Sequence, residues 1–425
     1  MNQVIDRFES EVRGYCRNFG ATFETAQGAW LTDTDGKRYL DFLAGAGALN
    51  YGHNPPHLRQ ALVDYIERGG VSHTLDLYSS AKEKFLERFN EVVLAPRGFH
   101  YKVQFPGPTG TNAVEAAMKL ARKVTGRTNV VFFTNAFHGM TVGSLAVTGN
   151  AGKRAGAAQP LVNGAAMPFD GYLGDGVDSL AYFEKALEDR GSGLDLPAAV
   201  ITETVQAEGG VNVASNEWLQ RLESICRRFD IILIIDDIQL GCGRSGRFFS
   251  FEEAGVTPDI VTLSKSLSGF GLPFSVVLMR PEIDKWSPGE HNGTFRGNNL
   301  AFVTATAALD FWANDAIAPM VAEKGPRVEG RLREIADRYE SLRATVRGRG
   351  FIWGLDCAMA GTAEKLSAAC FERGLIMETA GIEDQVLKFL APLTIGDDDL
   401  LHGLDVVEDA AAEVCRQVNE KRDAA

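Results

Sequence analysis

Apolar residues follow two alternating rhythms along this chain. From about residue 57 to 310, stretches with the spacing of a helix face alternate with short unbroken apolar runs. HLRQALVDYIERG, SSAKEKFLERFNEVVL and NAVEAAMKLARKVTG carry helical periodicity, the last of them stopped by Gly126. Between them, NVVFFT, AAVITET, IILIID, DIVTLS and FSVVLMR are short and rich in β-branched and aromatic residues. Their nearly continuous apolarity predicts strands covered on both faces, the habit of a mostly parallel sheet with helices on either side. The expected fold class is α/β.

The rhythm changes near residue 300. AFVTATAALDFWA predicts a long helix leading away from the sheet, and a second helix follows around VEGRLREIADRYESL. Strand-like pieces come next (TVRGRGFIWGLDCA, GLIMETA, VLKFLAPLTI), then a final amphipathic helix in DDLLHGLDVVEDAAAEVCRQVNEKR. This predicts a smaller α+β domain. Ahead of everything, GAWLTDTDGKRYLDF places two alternating runs around Asp35-Gly36, a tight-hairpin turn pair. The expected organisation is an N-terminal segment over 1–56 packing with the small domain, a large domain over 57–310 and the small domain over 311–425. The hairpin is not a calcium loop, because Lys37 stands where a third oxygen ligand is needed.

Composition narrows the class. The 425 residues are 45% hydrophobic and 23% charged, ordinary for a globular protein, and 56 acidic against 43 basic side chains argue against a nucleic-acid surface. The 45 glycines exceed the roughly 30 that average usage would give, so some of them must serve turns or close approaches. Six scattered cysteines form no CxxC or zinc spacing, so no metal site is expected and the thiols read as reduced. No export signal and no apolar run long enough to cross a membrane is present. A cytoplasmic protein is expected.

Three features carry chemistry. In PDIVTLSKSLSGFG an apolar strand runs straight into Ser264-Lys265, which places a lysine where open α/β sheets hold their ligands. IILIIDDIQLG ends another such strand in Asp236, on the same expected edge. FPGPTGTNAVEAAMKLAR turns at Gly107, Pro108 and Gly110 and presents Thr109 to Asn112 at the start of a helix, a site of free N–H groups suited to phosphate. Taken alone, the lysine reads better as a surface charge and the aspartate better as a turn cap, while the helix start reads equally well as a capped helix without a ligand. Gly241-Cys242-Gly243-Arg244-Ser245-Gly246 matches the dinucleotide fingerprint, but DDIQL separates it from its strand and no helix of small residues follows, so NAD is set aside. Together, an amine, an edge carboxylate and a phosphate cradle are what pyridoxal 5'-phosphate requires: a lysine to carry it, an acid for its ring nitrogen and donors for its phosphate.

The run from Asp236-Asp237-Ile238-Gln239 through Gly241, Gly243, Arg244 and Gly246, followed by Pro258-Asp259-Ile260 and Lys265, resembles the class III (ω-amino acid) aminotransferases of fold type I. The resemblance spans essentially the whole chain. It implies a large domain with a mostly parallel sheet beside a smaller domain, with Lys265 as the covalent lysine and proton shuttle and Asp236 as partner of the ring nitrogen. It implies Gln239 near the ring hydroxyl, and Thr109, Gly110 and Thr111 at the phosphate. Phe137 would stack on the ring, followed by His138, with Glu203 supporting the shell. Thr294 would reach the phosphate of a neighbouring subunit, making the protein a homodimer or larger homo-oligomer with shared sites.

Departures from the family pattern point to the substrate. Where many relatives write H-G-R-T this chain has Met140, and where they write T-F-G-G-N it has Arg296, a candidate replacement cation from the partner chain. The arginine of R-F-x-P-P-L becomes Lys388, which the resemblance pairs with Glu208 as a switch between two substrates. GTFRGNN, FHGMTVGS, TETVQAEGGVNVAS and KFLAPLTI narrow the resemblance to members that transfer nitrogen from L-glutamate to L-aspartate 4-semialdehyde, giving L-2,4-diaminobutyrate and 2-oxoglutarate at the first step of ectoine synthesis. Small-molecule substrates, with no nucleic acid and no membrane, are the expected partners. A 4-aminobutyrate or ornithine aminotransferase, or an intramolecular aminomutase, remains open at this level.

Overall fold

The protein is described by a computed structural model covering residues 2–423, with side chains through residue 417. Near the N-terminus, β1 (Phe23–Gln27), β2 (Trp30–Asp33) and β3 (Arg38–Asp41) form an antiparallel meander. Its second turn is built as Asp35-Gly36 suggests. Asp33 Oδ1 accepts from the amides of Asp35 and Lys37 at 3.0 and 2.8 Å, and Gly36 takes φ +81°.

The large sheet takes β4 (Lys102–Gln104), β5 (Val130–Phe133), β6 (Gly164–Met167) and β7 (Ala199–Thr202). A small hairpin, β8 (Val205–Gln206) with β9 (Asn212–Val213), precedes β10 (Ile232–Asp236), β11 (Ile260–Leu263) and β12 (Val276–Met279). The order is β4-β12-β11-β10-β7-β5-β6, and among its described strands β12 alone runs against the rest. The apolar runs are unbroken because the sheet has a core on each face. Val131, Phe133, Leu233, Ile235 and Val261 pack into one core, while Val130, Phe132, Ile232, Ile234 and Ile260 pack into the other. Fully burying a side chain of this size contributes about 1.5–3 kcal/mol, so both faces must be covered for the sheet to persist.

Helix Gly110–Thr125 lies on the second face, burying Val114, Ala117, Met118 and Ala121, and ends at Gly126 in the left-handed conformation. AFVTATAALDFWA does not lead away from the sheet. Helix Asn299–Ala308 packs on helices Pro56–Glu67 and Ser80–Phe89 and buries Ala301, Phe302 and Ala305 in the large core, because its small residues allow close helix contact. The first helix to pack with the C-terminal sheet is Ile317–Arg338, after the short turn of helix Asp310–Ala313.

Beyond it, β13 (Ala344–Arg349), β14 (Ile352–Cys357), β15 (Leu375–Ile376), β16 (Glu378–Ala380) and β17 (Val386–Phe389) follow, with helix Thr362–Glu372 between β14 and β15. Four of these strands form an antiparallel sheet in the order β13-β14-β17-β16, whereas β15 joins the N-terminal meander in parallel with β3. Helix Asp397–Asp423 closes the chain. At the junction of all three parts lies Arg244, fully buried without a carboxylate partner. It donates to Asn50 Oδ1 at 2.6 Å, Ala391 O at 2.6 Å and Phe351 O at 3.0 Å, and burial pushes its guanidinium down to about 9. No described helix is long and apolar enough to cross a membrane.

Candidate active site

Asp236 is the last residue of β10 and stands in register with Thr262 of β11, one residue before that strand ends, so both chains leave the sheet at the same C-terminal edge. Lys265 follows two residues after β11 with φ +49°, a left-handed backbone that costs an ordinary side chain energy and that clusters at functional sites. Its Nζ donates to Ala46 O at 2.8 Å. Ala44 through Gly47 form a left-handed run, with φ of +47, +60, +55 and +81°, and this brings the Ala46 carbonyl over the lysine. Burial lowers the Lys265 ammonium below the usual lysine range, and the nearby Glu208 carboxylate opposes that shift. A lysine held in this way gives up its proton more readily.

Lys265 opens into a cavity of about 170 Å³ that Asp236, Glu203, Glu208, Gln239 and Phe137 also line. Asp236 is buried. Its Oδ2 meets His138 Nδ1 at 2.7 Å, while Oδ1 accepts from Thr262 Oγ1 at 3.1 Å and the Ile238 amide at 3.2 Å. Three hydrogen bonds therefore fix this carboxylate against the cavity. His138, predicted beside the cofactor, lines the same cavity and braces Asp236. Glu203 accepts from the Phe137 amide at 3.2 Å, and burial followed by the Asp236 charge drives its carboxyl well above the ordinary range. Lys153 Nζ lies 4.4 Å from the centre of the Phe137 ring.

The cradle occupies the opposite end. Asn112 Oδ1 accepts from Thr109 N at 3.2 Å and Oγ1 at 2.8 Å, closing the turn that starts helix Gly110–Thr125. The Gly110 and Thr111 amides are first in that helix and have no intrahelical acceptor, which leaves donors and the positive dipole end for an anion. A Cβ on Gly110 would stand 2.9 Å from Ile238 Cδ1, so a larger residue there would have to displace the Ile238 side chain that lines the cavity. Gly110 and Thr111 both line the cavity, whereas Thr109 is exposed beside it. Thr111 Oγ1 is tied to Thr141 Oγ1 at 2.7 Å and to Ser144 Oγ at 2.8 Å.

One wall is ionic. Lys388 is completely buried behind Glu208, with Nζ 2.7 Å from Glu208 Oε1 and 2.9 Å from Glu378 Oε1. The second contact follows from strand register, since Glu378 of β16 faces Lys388 of β17 directly. Gln239 Nε2 donates to both Glu208 Oε1 at 3.0 Å and Ala46 O at 2.8 Å. Although burial opposes it, the two lysine charges and these hydrogen bonds hold Glu208 down to about 2. Glu378 is raised above the carboxylate range, with burial as the larger cause, and the Tyr15 hydroxyl from the N-terminal segment faces it. Glu378, Tyr15 and the Ala46 carbonyl were not singled out in the sequence.

Thr294 and Arg296 lie apart from this cavity. The Thr294 carbonyl accepts from His73 Nε2 at 2.9 Å, and Arg296 Nη1 donates to Phe105 O at 3.0 Å beside a separate surface pocket. Around them Phe295, Leu77 and Tyr78 are exposed, Tyr78 fully. Met140 is likewise half exposed, outside the cavity lining.

The donor set fits pyridoxal phosphate: a lysine amine between a braced buried carboxylate and a bare helix start kept open by glycine. The Aminotransferase class-III pattern matches residues 14–411, and the chain belongs to that family of pyridoxal-phosphate enzymes. It is 57% identical over 413 residues to the diaminobutyrate–2-oxoglutarate transaminase of Nocardia farcinica, covering 97% of this chain and 94% of that one. It is 58% identical over 410 residues to the enzyme of the same name from Halomonas elongata, covering 96% and 97%. The ornithine aminotransferase of Toxoplasma gondii, solved with pyridoxal phosphate at partial occupancy in its active site, superposes with a TM-score of 0.85 at 26% identity, covering 97% and 94%.

Proposed function

We propose that this chain transfers the amino group of L-glutamate to the aldehyde of L-aspartate 4-semialdehyde, giving 2-oxoglutarate and L-2,4-diaminobutyrate. The reaction would open ectoine synthesis, carried out by a cytoplasmic homodimer or larger assembly. The observation that carries the reading is the cavity in which the Lys265 amine faces the Glu208–Lys388 wall, together with the relatives' shared name.

Pyridoxal phosphate, when bound, supplies an aldehyde that takes up the amine and a ring that accepts the electron pair left on the substrate carbon. Asp236, braced by His138, would hold the ring nitrogen's proton. Gly110 and Thr111 would hold the phosphate, with Thr109 closing their turn, and Phe137, Glu203 and Gln239 would flank the ring. Lys265 Nζ would carry the proton from the substrate's amine-bearing carbon to the cofactor's aldehyde carbon, a task suited to a lysine whose ammonium is weakened by burial.

Two substrates with opposite needs use one wall. Glutamate brings a second carboxylate that needs a cation; the semialdehyde brings a remote α-ammonium that needs an anion. Glu208 would serve the ammonium and uncover Lys388 for the carboxylate when it turns aside. Thr294 and Arg296 would act in the cavity of a second copy, because the exposed Phe295, Leu77 and Tyr78 beside them suit a covering subunit.

The test is diaminobutyrate formation from glutamate and aspartate semialdehyde, with ornithine and 4-aminobutyrate as rival donors. Glu208→Gln should slow the semialdehyde half-reaction more than the glutamate half-reaction. Equal losses would refute the switch, and a preference for a rival donor would refute the substrate.

A further inference from the structure

Lys388 has more negative charge around it than it can neutralise. One fully buried ammonium meets two carboxylates, Glu208 Oε1 at 2.7 Å and Glu378 Oε1 at 2.9 Å, so with both acids ionised these three groups carry one surplus negative charge, which Lys265 across the cavity offsets only while its own amine is protonated. Keeping such a surplus out of water is costly, and a wall meant only to hide or present a cation would need a single partner. The two acids are not equivalent. Glu208 lines the cavity and is the more exposed of the pair, whereas Glu378 is 6% exposed, lies outside the cavity lining and is fixed opposite Lys388 by the pairing of β16 with β17.

We infer that Glu378 is a positioning residue that neutralises Lys388 from behind, leaving the charge of Glu208 uncommitted so that the cavity selects amine substrates bearing a remote ammonium. This rests on the reading of the chain as a diaminobutyrate-forming aminotransferase. With Glu378 in place, Lys388 and Glu378 cancel and Glu208 presents an unspent anion. Without it, Glu208 and Lys388 close into a neutral pair, and a substrate carboxylate approaching Lys388 no longer meets a second buried anion. The same substitution therefore moves the two kinds of ligand in opposite directions, which a merely structural residue does not do.

L-2,4-diaminobutyrate and 4-aminobutyrate differ only in the remote ammonium, and each can give its terminal amine to 2-oxoglutarate. In the cofactor-loaded enzyme, Glu378→Gln should lower the ratio of their kcat/KM values by about tenfold or more, mainly through KM for diaminobutyrate. It should also tighten binding of glutarate, an unreactive dicarboxylate, by about threefold in calorimetry. Glu378→Asp should keep the wild-type ratio. Adding Lys388→Met to Glu378→Gln removes the cation that has captured Glu208 and should raise the ratio again.

An unchanged ratio in Glu378→Gln, or parallel loss of both donors and of glutarate, overturns the inference. Should that single variant not fold, the double variant decides: a ratio near wild type supports the inference and a collapsed ratio overturns it. A wild-type enzyme that turns over neither donor would instead overturn the assigned reaction, so the two failures are told apart.

Discussion

At the scale of the residue, the site is a set of ionisable groups held away from their ordinary behaviour by burial. With Lys265 proposed to carry the cofactor, Lys265→Ala should lose the cofactor's visible absorption and all turnover while keeping the wild-type secondary structure by circular dichroism. A variant that retained colour and activity would sink the assignment. Asp237, next to Asp236 in sequence, gives a separate handle. It is fully buried, accepts from the Ser250 amide at 3.0 Å through one oxygen, and is pushed by burial up to about 7 from 3.8. The folded state therefore holds a proton that the unfolded chain has already released between about pH 4 and pH 7, and stability falls as pH rises through that window. Asp237→Asn removes the proton linkage, so its melting temperature should gain on wild type from about pH 5 to about pH 8; parallel curves would show that Asp237 does not titrate there.

At the scale of the element, the strands were legible because a two-faced sheet writes itself as unbroken apolar runs, and Lys265 and Asp236 were legible because each ends such a run. Other elements leave weaker marks. Strands β4 and β6 are short, carry half-exposed residues and gave no comparable run. Helix Thr362–Glu372 buries Ala363, Leu366, Ala369 and Cys370, mostly small side chains that blur its periodicity. Glu378 could not be tied to Lys388 from spacing, because their contact comes from the register of β16 on β17, and Tyr15 arrives from the far end of the chain. The Ala46 carbonyl is backbone, visible in the sequence only as a run of alanine and glycine.

Close packing also decides how elements meet. Gly325 lies within helix Ile317–Arg338, where a Cβ would press on the Gly350 carbonyl oxygen. Alanine gains about 1 kcal/mol of helix propensity there, but overpacking against backbone costs about 1–3 kcal/mol. Gly325→Ala should therefore lower the urea midpoint of unfolding; a raised midpoint would mean the helix slides freely on that turn.

At the scale of the whole molecule, the proposed sharing of sites is a matter of arithmetic. Neither Thr294 nor Arg296 lines the cavity of its own chain. If each cavity borrows Thr294 from its neighbour, a dimer of one Lys265→Ala chain and one Thr294→Ala chain holds one intact site and one doubly damaged site. Random mixing makes about half of the dimers mixed, so about a quarter of wild-type activity should return from two inactive parents. No recovery would confine each site to a single chain. Family likeness assigns Thr294 to a partner's cavity and a departure from the family pattern assigns Arg296 there, whereas a single chain holds no contact that reveals either.

Arg244 sets the order in which this protein can be finished. Its acceptors include Asn50, long since synthesised when Arg244 appears, and Ala391, which follows 147 residues later. During synthesis the guanidinium must therefore wait in water while the large sheet forms around its neighbours, because drying it before the carbonyls of Phe351 and Ala391 arrive would strand a bare charge. The nascent chain is thus kept open at this knot until the segment carrying Phe351 and Ala391 emerges, and its closure marks the moment at which the Lys388 strand can join the cavity.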